Sequence, residues 1–259
     1  MSAVDAVVVT GAGHGFGRAV AQRCAADGTA VLCLSRTDTA AATACAIMDS
    51  GGRAESISVD LADLAETQRR LGEWLATSPH RRLAVVCAAA TLGSGGGLLD
   101  SELADWARTF QVNLLGNFAV VRALLPRMLE NAFGRIVTVA GGGAAYGYPL
   151  FSAYALSKVA TVRATENLEL ELRGKGDFLA VCLAPGAMQT RMLAAVRAAG
   201  ATVTTTVDMA EPVDFVAQFI QAGSCAFSGR FVHVRDDWRS WMRPASLPAE
   251  QWLLRRIEK

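Results

Sequence analysis

Apolar runs of strand length recur at residues 6–9, 30–34, 83–87, 136–140 and 179–183, and stretches of helical period separate them. That alternation constrains the fold more than any other feature. A strand, a helix and a second strand close as a right-handed crossover, so the strands are expected to pair in parallel. Helices are expected at 15–26, 39–50, 64–77, 103–131, 152–173 and 211–221, with a weaker strand at 54–59 and a last one near 231–234. Apolar content of 52% with 24 glycines suits strands buried on both faces between short turns. The expected class is α/β: one doubly wound parallel sheet of about seven strands with helices on both faces. No internal repeat or Pro/Ser-rich linker interrupts the 259 residues, so a single domain is expected over 1–259, with 235–259 as its extended C-terminal tail.

The 25 basic and 24 acidic residues leave a net charge of +1, so no global field draws the chain to nucleic acid or to an anionic membrane. A small-molecule partner is expected instead. The six cysteines (Cys24, Cys33, Cys45, Cys87, Cys182 and Cys225) show no CxxC or metal-ligand spacing, and most lie in apolar runs where a thiol packs as a small hydrophobe. They are read as reduced, with no metal site and a cytoplasmic location. The first nine residues lack a basic segment before a long apolar core, and no uninterrupted apolar run approaches membrane-spanning length. A soluble, unprocessed chain is expected.

The first strand leads directly into Thr10-Gly11-Ala12-Gly13-His14-Gly15-Phe16-Gly17, after which a helix begins. A dinucleotide pyrophosphate needs close backbone approach and a helix N-terminus aimed at it, and glycines at a strand-to-helix turn give both. The second strand ends in Ser35-Arg36, where a carboxylate would bind the adenosine ribose hydroxyls and repel a 2′-phosphate. A hydroxyl and a guanidinium suit a phosphate, so NADP(H) is favoured over NAD(H). Asp38 could pair with Arg36 and blunt that preference.

Farther on, Tyr154 and Lys158 stand four residues apart in a helical segment, one turn apart on one face. A phenol titrates near 10 unless a neighbouring cation favours the phenolate. Beside Lys158, Tyr154 is expected to titrate lower and to exchange a proton with a substrate oxygen.

With T-G-x-x-x-G-x-G at 10–17 and Y-x-x-x-K at 154–158, the chain resembles the short-chain dehydrogenase/reductase family over roughly residues 4–234. Asp60-Leu61, Val112-Asn113-Leu114 and Pro185-Gly186-Ala187-Met188-Gln189-Thr190 agree with it. The resemblance implies a Rossmann-type fold and a carbonyl reductase of the 3-oxoacyl (ketoreductase) type acting on a ketone or secondary alcohol. Its implied assembly is a homotetramer or homodimer built on the helices carrying Asn113 and Tyr154. Catalysis would fall to Tyr154, Lys158 and Asn113, with Lys158 also holding the nicotinamide ribose and Asn113 ordering a water between Lys158 and solvent. Asp60 would contact the adenine and Thr190 the carboxamide. The Gly-rich turn, Ser35, Arg36, Leu61, Ala88, Pro185, Gly186 and Met188 would complete the cofactor site. His14 stands where many NADP-preferring members carry Arg or Lys.

Three departures qualify the resemblance. Thirteen positions before Tyr154, where the family carries a catalytic Ser, stands Gly141. One such donor to a developing oxyanion is worth about 10² to 10³ in rate. Tyr146, Tyr148 or backbone N–H groups of Gly141-Gly142-Gly143 are candidate replacements, and Gly141, Gly142 and Tyr148 are expected beside the substrate. Second, Cys87-Ala88-Ala89-Ala90 replaces the family's Asn-Asn-Ala-Gly, which puts sheet-to-loop hydrogen bonds in doubt. Third, the chain runs past its last strand into Trp238, Trp241, Trp252 and a helix-like 250–257, read as a tail docked on its own domain. A dinucleotide-binding protein with little turnover, and a dehydratase or epimerase on a modified substrate, stay open as alternatives. The segment 191–209 is expected to cover the substrate, whose identity the residues do not specify.

Overall fold

The structure, a computed structural model, describes residues 4–242 together with 253 and 254. Its first half runs β1 (Ala6–Thr10), α1 (Gly15–Ala26), β2 (Ala30–Ser35), α2 (Thr39–Asp49), β3 (Ala54–Ser58), α3 (Leu64–Thr77) and β4 (Leu83–Cys87). A long helix follows as α4 (Leu103–Phe110), one π turn (Gln111–Gly116) and α5 (Asn117–Glu130). Then come β5 (Phe133–Val139), α6 (Ser152–Leu172), β6 (Asp177–Ala184), α7 (Arg191–Ala198), α8 (Ala210–Gln221), β7 (Arg230–His233) and α9 (Trp238–Trp241).

All seven strands pair in parallel, in the order β3-β2-β1-β4-β5-β6-β7. The order reverses between β1 and β4, and the carboxyl ends of strands at such a switch point leave a crevice for a ligand. Successive side chains on a strand face opposite ways. Val7 and Val9 therefore join the core under α1, α2 and α8, while Ala6 and Val8 join the one under α3 and α5.

Several element bounds move by one or two residues from the sequence expectation, and two features depart from it for reasons the packing makes plain. β5 starts at Phe133 rather than 136 because Arg135, a poor strand candidate by polarity, lies fully buried in it. Its guanidinium donates to Ala222 O at 2.7 Å, pairs with Asp177 at 2.8 Å and lies 4.3 Å from the Phe133 ring centroid. The helix expected over 103–131 is continuous but bulges at 111–116, where the Gly116 backbone packs on Leu61 so closely that a Cβ would overlap the Leu61 carbonyl. The stretch Leu103–Glu130 is long and apolar enough to cross a membrane, which the uninterrupted-run criterion missed; here its α5 half packs on the sheet.

After β7, Trp238 is fully buried, edge-on to Phe215 at 5.0 Å, and its Nε1–H donates to Val234 O at 3.1 Å. The tail thus docks on its own sheet at Trp238 and Trp241. Trp252 lies outside the described residues, as does the helix expected over 250–257 apart from 253 and 254, which are not helical.

Candidate active site

A cavity of about 1560 Å³ opens along the carboxyl ends of the strands. It gathers the expected residues from distant parts of the chain: Gly11, Gly13, His14, Gly15, Phe16 and Gly17 after β1, Ser35 and Arg36 at the end of β2, and Asp60 and Leu61 after β3. Ala88, Gly141, Gly142, Tyr148, Tyr154 and Lys158 line it too, as do Pro185, Gly186, Met188 and Thr190. Thr10 and Asn113 do not line it; both brace the wall from behind.

The turn after β1 is shaped for a ligand's backbone contact. Gly11 sits at φ +67°, and a Cβ there would lie 2.9 Å from Ala89 N and Cα. Gly17 lets α1 start against that same turn, since its Cβ would come 2.5 Å from Gly11 O. Only backbone fits at these points, and the free N–H groups opening α1 suit a pyrophosphate. Burial first, then Arg191 and Arg18, push the His14 imidazole pKa down. A dinucleotide fits this cradle.

Thr10 turns away from the cradle: its hydroxyl donates to Asn117 Oδ1 at 2.7 Å and accepts from Ala89 N at 3.0 Å. Asn117 Nδ2 donates to Ala89 O at 2.9 Å and to Asn113 O at 3.0 Å. This brace resolves the doubt about the loop after β4. The Asn function missing at 87–88 is supplied from α5 by Asn117, which the sequence reading missed although it lies one helical turn after Asn113.

At the end of β2 the two expected phosphate ligands separate. Ser35 Oγ donates to Thr37 O at 2.5 Å and accepts from Ala40 N at 3.0 Å, so it holds the start of α2. Arg36 is exposed on the cavity wall and has no ion-pair partner among the described residues. Asp38 accepts from Ser58 Oγ at 3.2 Å instead of pairing with it. Asp60 is engaged already, accepting from Ala62 N at 3.0 Å and from Arg108 Nη2 at 2.7 Å. Burial pulls its carboxyl upward, but the Ala62 N–H and the Arg108 and Arg36 guanidinium groups outweigh that and hold it below its ordinary value.

Tyr154 and Lys158 share a face of α6, yet the expected lowering of the phenol is not found. Lys158 Nζ donates to Val139 O at 2.7 Å and lies 5.5 Å from the Tyr154 ring centroid. Burial, with a smaller contribution from Tyr148, pushes Tyr154 up to about 12, and burial brings Lys158 down to about 8. Loss of solvent acts against the charged form of each group and outweighs their attraction. In this state the Tyr154 phenol is neutral.

Asn113 Nδ2 donates to Thr91 O at 2.9 Å and to Ser157 Oγ at 3.0 Å, and its Oδ1 accepts from Thr91 N at 2.8 Å. Ser157 Oγ in turn donates to Tyr154 O at 2.7 Å. The side chain thus ties the π turn to the loop after β4 and to the turn bearing Tyr154. Gly141 is extended at φ 175°, and among the described residues the one atom within 4 Å of a Cβ built there is Tyr154 Oη, at 3.2 Å. At Gly142 a Cβ would overlap the Tyr146 hydroxyl, and Tyr148 stacks on Phe151 at 5.6 Å. Thr190 Oγ1 accepts from Leu193 N at 3.3 Å, capping α7, and donates to Met188 O at 3.3 Å.

Part of 191–209 does form a wall of the cavity, through Met192, Val196 and Val203. Arg235, unremarked in the sequence, fastens it by donating to Thr206 O at 3.2 Å and Thr205 Oγ1 at 3.4 Å. Among the described residues no three His, Cys, Asp or Glu side chains gather to hold a metal ion.

Known proteins resemble this chain in sequence and fold. The short chain dehydrogenase family model matches residues 5–201. A short chain dehydrogenase from Pseudocercospora fijiensis is 31% identical over 189 residues, covering 71% of this chain but 60% of that protein. A 2-dehydro-3-deoxy-L-rhamnonate dehydrogenase (NAD(+)) from Sphingomonas sp. is 31% identical over 186 residues, covering 72% of this chain and 73% of that one. The crystal structure of a candidate NAD(P)-dependent gluconate 5-dehydrogenase from Beutenbergia cavernae, holding NADP at low occupancy, superposes with a TM-score of 0.82 at 32% identity. That match covers 91% of this chain and 96% of the other. The chain belongs to the short-chain dehydrogenase/reductase family, a class of NAD(P)-dependent oxidoreductases.

Proposed function

We propose that this chain interconverts a ketone and a secondary alcohol with NADP(H). The observation that carries the reading is that one cavity joins the glycine cradle and Arg36 to Tyr154 and Lys158. A bound nicotinamide dinucleotide supplies or takes the hydride. Tyr154 gives its proton to the carbonyl oxygen in reduction, and its neutral phenol suits that direction. Lys158, within a turn of it, holds a ribose hydroxyl and offsets negative charge left on Tyr154. Asn113 positions that turn through Ser157. Arg36 meets the 2′-phosphate alone, since Ser35 is committed to α2. Asp60 and Leu61 border the adenine, and Ala88, Pro185, Gly186, Met188 and Thr190 border the nicotinamide half. Gly141, Gly142 and Tyr148 face the substrate.

The six free thiols agree with a reducing, cytoplasmic setting. Exposed Leu103, Leu115, Leu156 and Leu170, on the helices that carry Asn113 and Tyr154, agree with a homodimer or homotetramer. The test is turnover of a carbonyl panel with NADPH by wild type and Tyr154→Phe. Turnover should fall by about 10² or more in the variant while cofactor affinity holds.

A second reading, a dinucleotide-binding protein with little turnover, rests on Gly141, which leaves no side-chain hydroxyl beside Tyr154 at that position. Tight NADPH binding with no NADPH consumed by wild type across the panel would favour it.

A further inference from the structure

Glu166 is an acid that catalysis does not use. It lies three turns beyond Tyr154 on α6, is 5% exposed, and pairs with Arg163 at 2.5 Å. Its other carboxylate oxygen accepts the Leu254 backbone N–H at 2.9 Å, and Arg163 Nη2 donates to the Leu254 carbonyl at 2.6 Å. One ion pair on the catalytic helix thus grips both polar groups of a single peptide residue from the far C-terminus. The grip is two-pointed, charge-assisted and partly buried, which orients a backbone rather than merely touching it. Leu254 packs against the cluster formed by Ala140, Ala144, Val162 and Cys182, of which the first two bracket Gly141 and Gly142 in sequence. Its neighbour Leu253 lines the cavity.

We infer that the Arg163–Glu166 pair clamps the C-terminal segment at Leu254 so that Leu253 forms a wall of the substrate end of the cavity and sets the size of carbonyl compound accepted. The inference rests on the ketone/alcohol reading for its substrate class. Leu253 is a specificity residue, and Arg163 and Glu166 are positioning residues. The clamp also holds the chain end against the loop that lacks the family's Ser, so the shape of that end depends on residues more than ninety positions apart in sequence from Gly142 and Ala144. A carbonyl compound with an apolar body would rest against Leu253; a compact one would not reach it.

The test pairs selectivity with hydrogen exchange. With NADPH and a graded series of small to bulky apolar ketones, Leu253→Ala should raise the kcat/KM ratio of bulky over small substrates by about fivefold or more, mainly through KM, and Leu253→Trp should lower it. NADPH affinity should stay within about twofold in both, since the wall faces the substrate. Glu166→Ala should move selectivity in the same direction as Leu253→Ala and abolish exchange protection of the Leu254 amide. Glu166→Gln, which keeps an acceptor for that N–H, should retain both. Should Glu166→Ala fail to fold, Arg163→Ala breaks the other half of the clamp from an exposed position. An unprotected Leu254 amide in wild type, or unchanged selectivity in both Leu253 variants, overturns the inference. If wild type turns over no ketone, the enzymatic reading fails, and the wall is judged by the melting-temperature shifts the same ketones give on NADPH-saturated protein. Equal shifts for wild type, Leu253→Ala and Leu253→Trp would then overturn it.

Discussion

Lys158 is 2% exposed, and its ammonium has the Val139 carbonyl as its described acceptor. Burial holds its pKa at about 8, below the ordinary lysine value of 10.5. Between those values the unfolded chain binds more protons than the folded one, so this group's contribution to stability rises with pH across that window. Below about pH 8 the cost is fully present, on the order of 3 kcal/mol at 1.36 kcal/mol per unit. Lys158→Met should therefore be more stable than wild type at pH 7, and the gap should close as pH rises from about 8 toward 10. Urea unfolding of both proteins across that range is the check, and a constant gap would contradict it. A residue whose charge is costly when folded is consistent with a functional cause for keeping it. Gly141 raises the converse question of what a missing side chain permits. Its extended backbone accepts any residue, so only space resists a substitution, and the crowding atom would be Tyr154 Oη at 3.2 Å. Gly141→Ser is expected to raise KM, with overpacking of about 1 to 3 kcal/mol, rather than to raise kcat. A higher kcat at unchanged KM would mean that the site lacks a donor rather than uses the room.

At the scale of elements, Asn117 on α5 joins the ends of β1 and β4 through Thr10 and Ala89. Asn117→Ala strips partners from Thr10 Oγ and the Ala89 carbonyl, and each buried polar group left unpaired costs about 1 to 3 kcal/mol. The variant should lose about 2 to 4 kcal/mol in urea unfolding. It should also bind NADPH more weakly, because the Gly11 turn rests on Ala89. The sequence made the strands and helices legible because their periods are local, and it showed the glycine turn and the Tyr154–Lys158 spacing for the same reason. Asn117 was not legible: the partners that make it a brace, Ala89 and Thr10, lie 28 and 107 positions away, and its bond to Asn113 O within the helix does not distinguish it from a surface amide. Arg135 hid the start of β5 likewise, since its buried guanidinium is matched by Asp177 and Ala222 across the fold. The phenol's upward shift was missed because charge proximity is written in the spacing of two residues, whereas desolvation depends on everything packed around them.

For the whole molecule, the switch point between β1 and β4 places loops from both halves of the sheet around one cavity. A ligand spanning it touches the β1 and β2 ends on one side and the β5 and β6 ends on the other, so its binding is linked to global unfolding. At a concentration of 100 times its Kd such a ligand adds about 2.7 kcal/mol of stability. For a chain of this size that is a melting-temperature rise of roughly 5 to 10 °C. If Arg36 meets a 2′-phosphate, NADPH binds at least about tenfold more tightly than NADH, a difference of about 1.4 kcal/mol. At the same concentration NADH should then raise the melting temperature by roughly half as much. Arg36→Ala should bring the NADPH shift down to the NADH value and leave the NADH shift where it was, because the exposed guanidinium has no ion-pair partner in the described fold to lose. Equal shifts in wild type would remove Arg36 from the cofactor site. A fall in both shifts would mean that it supports the end of β2 rather than reads the phosphate.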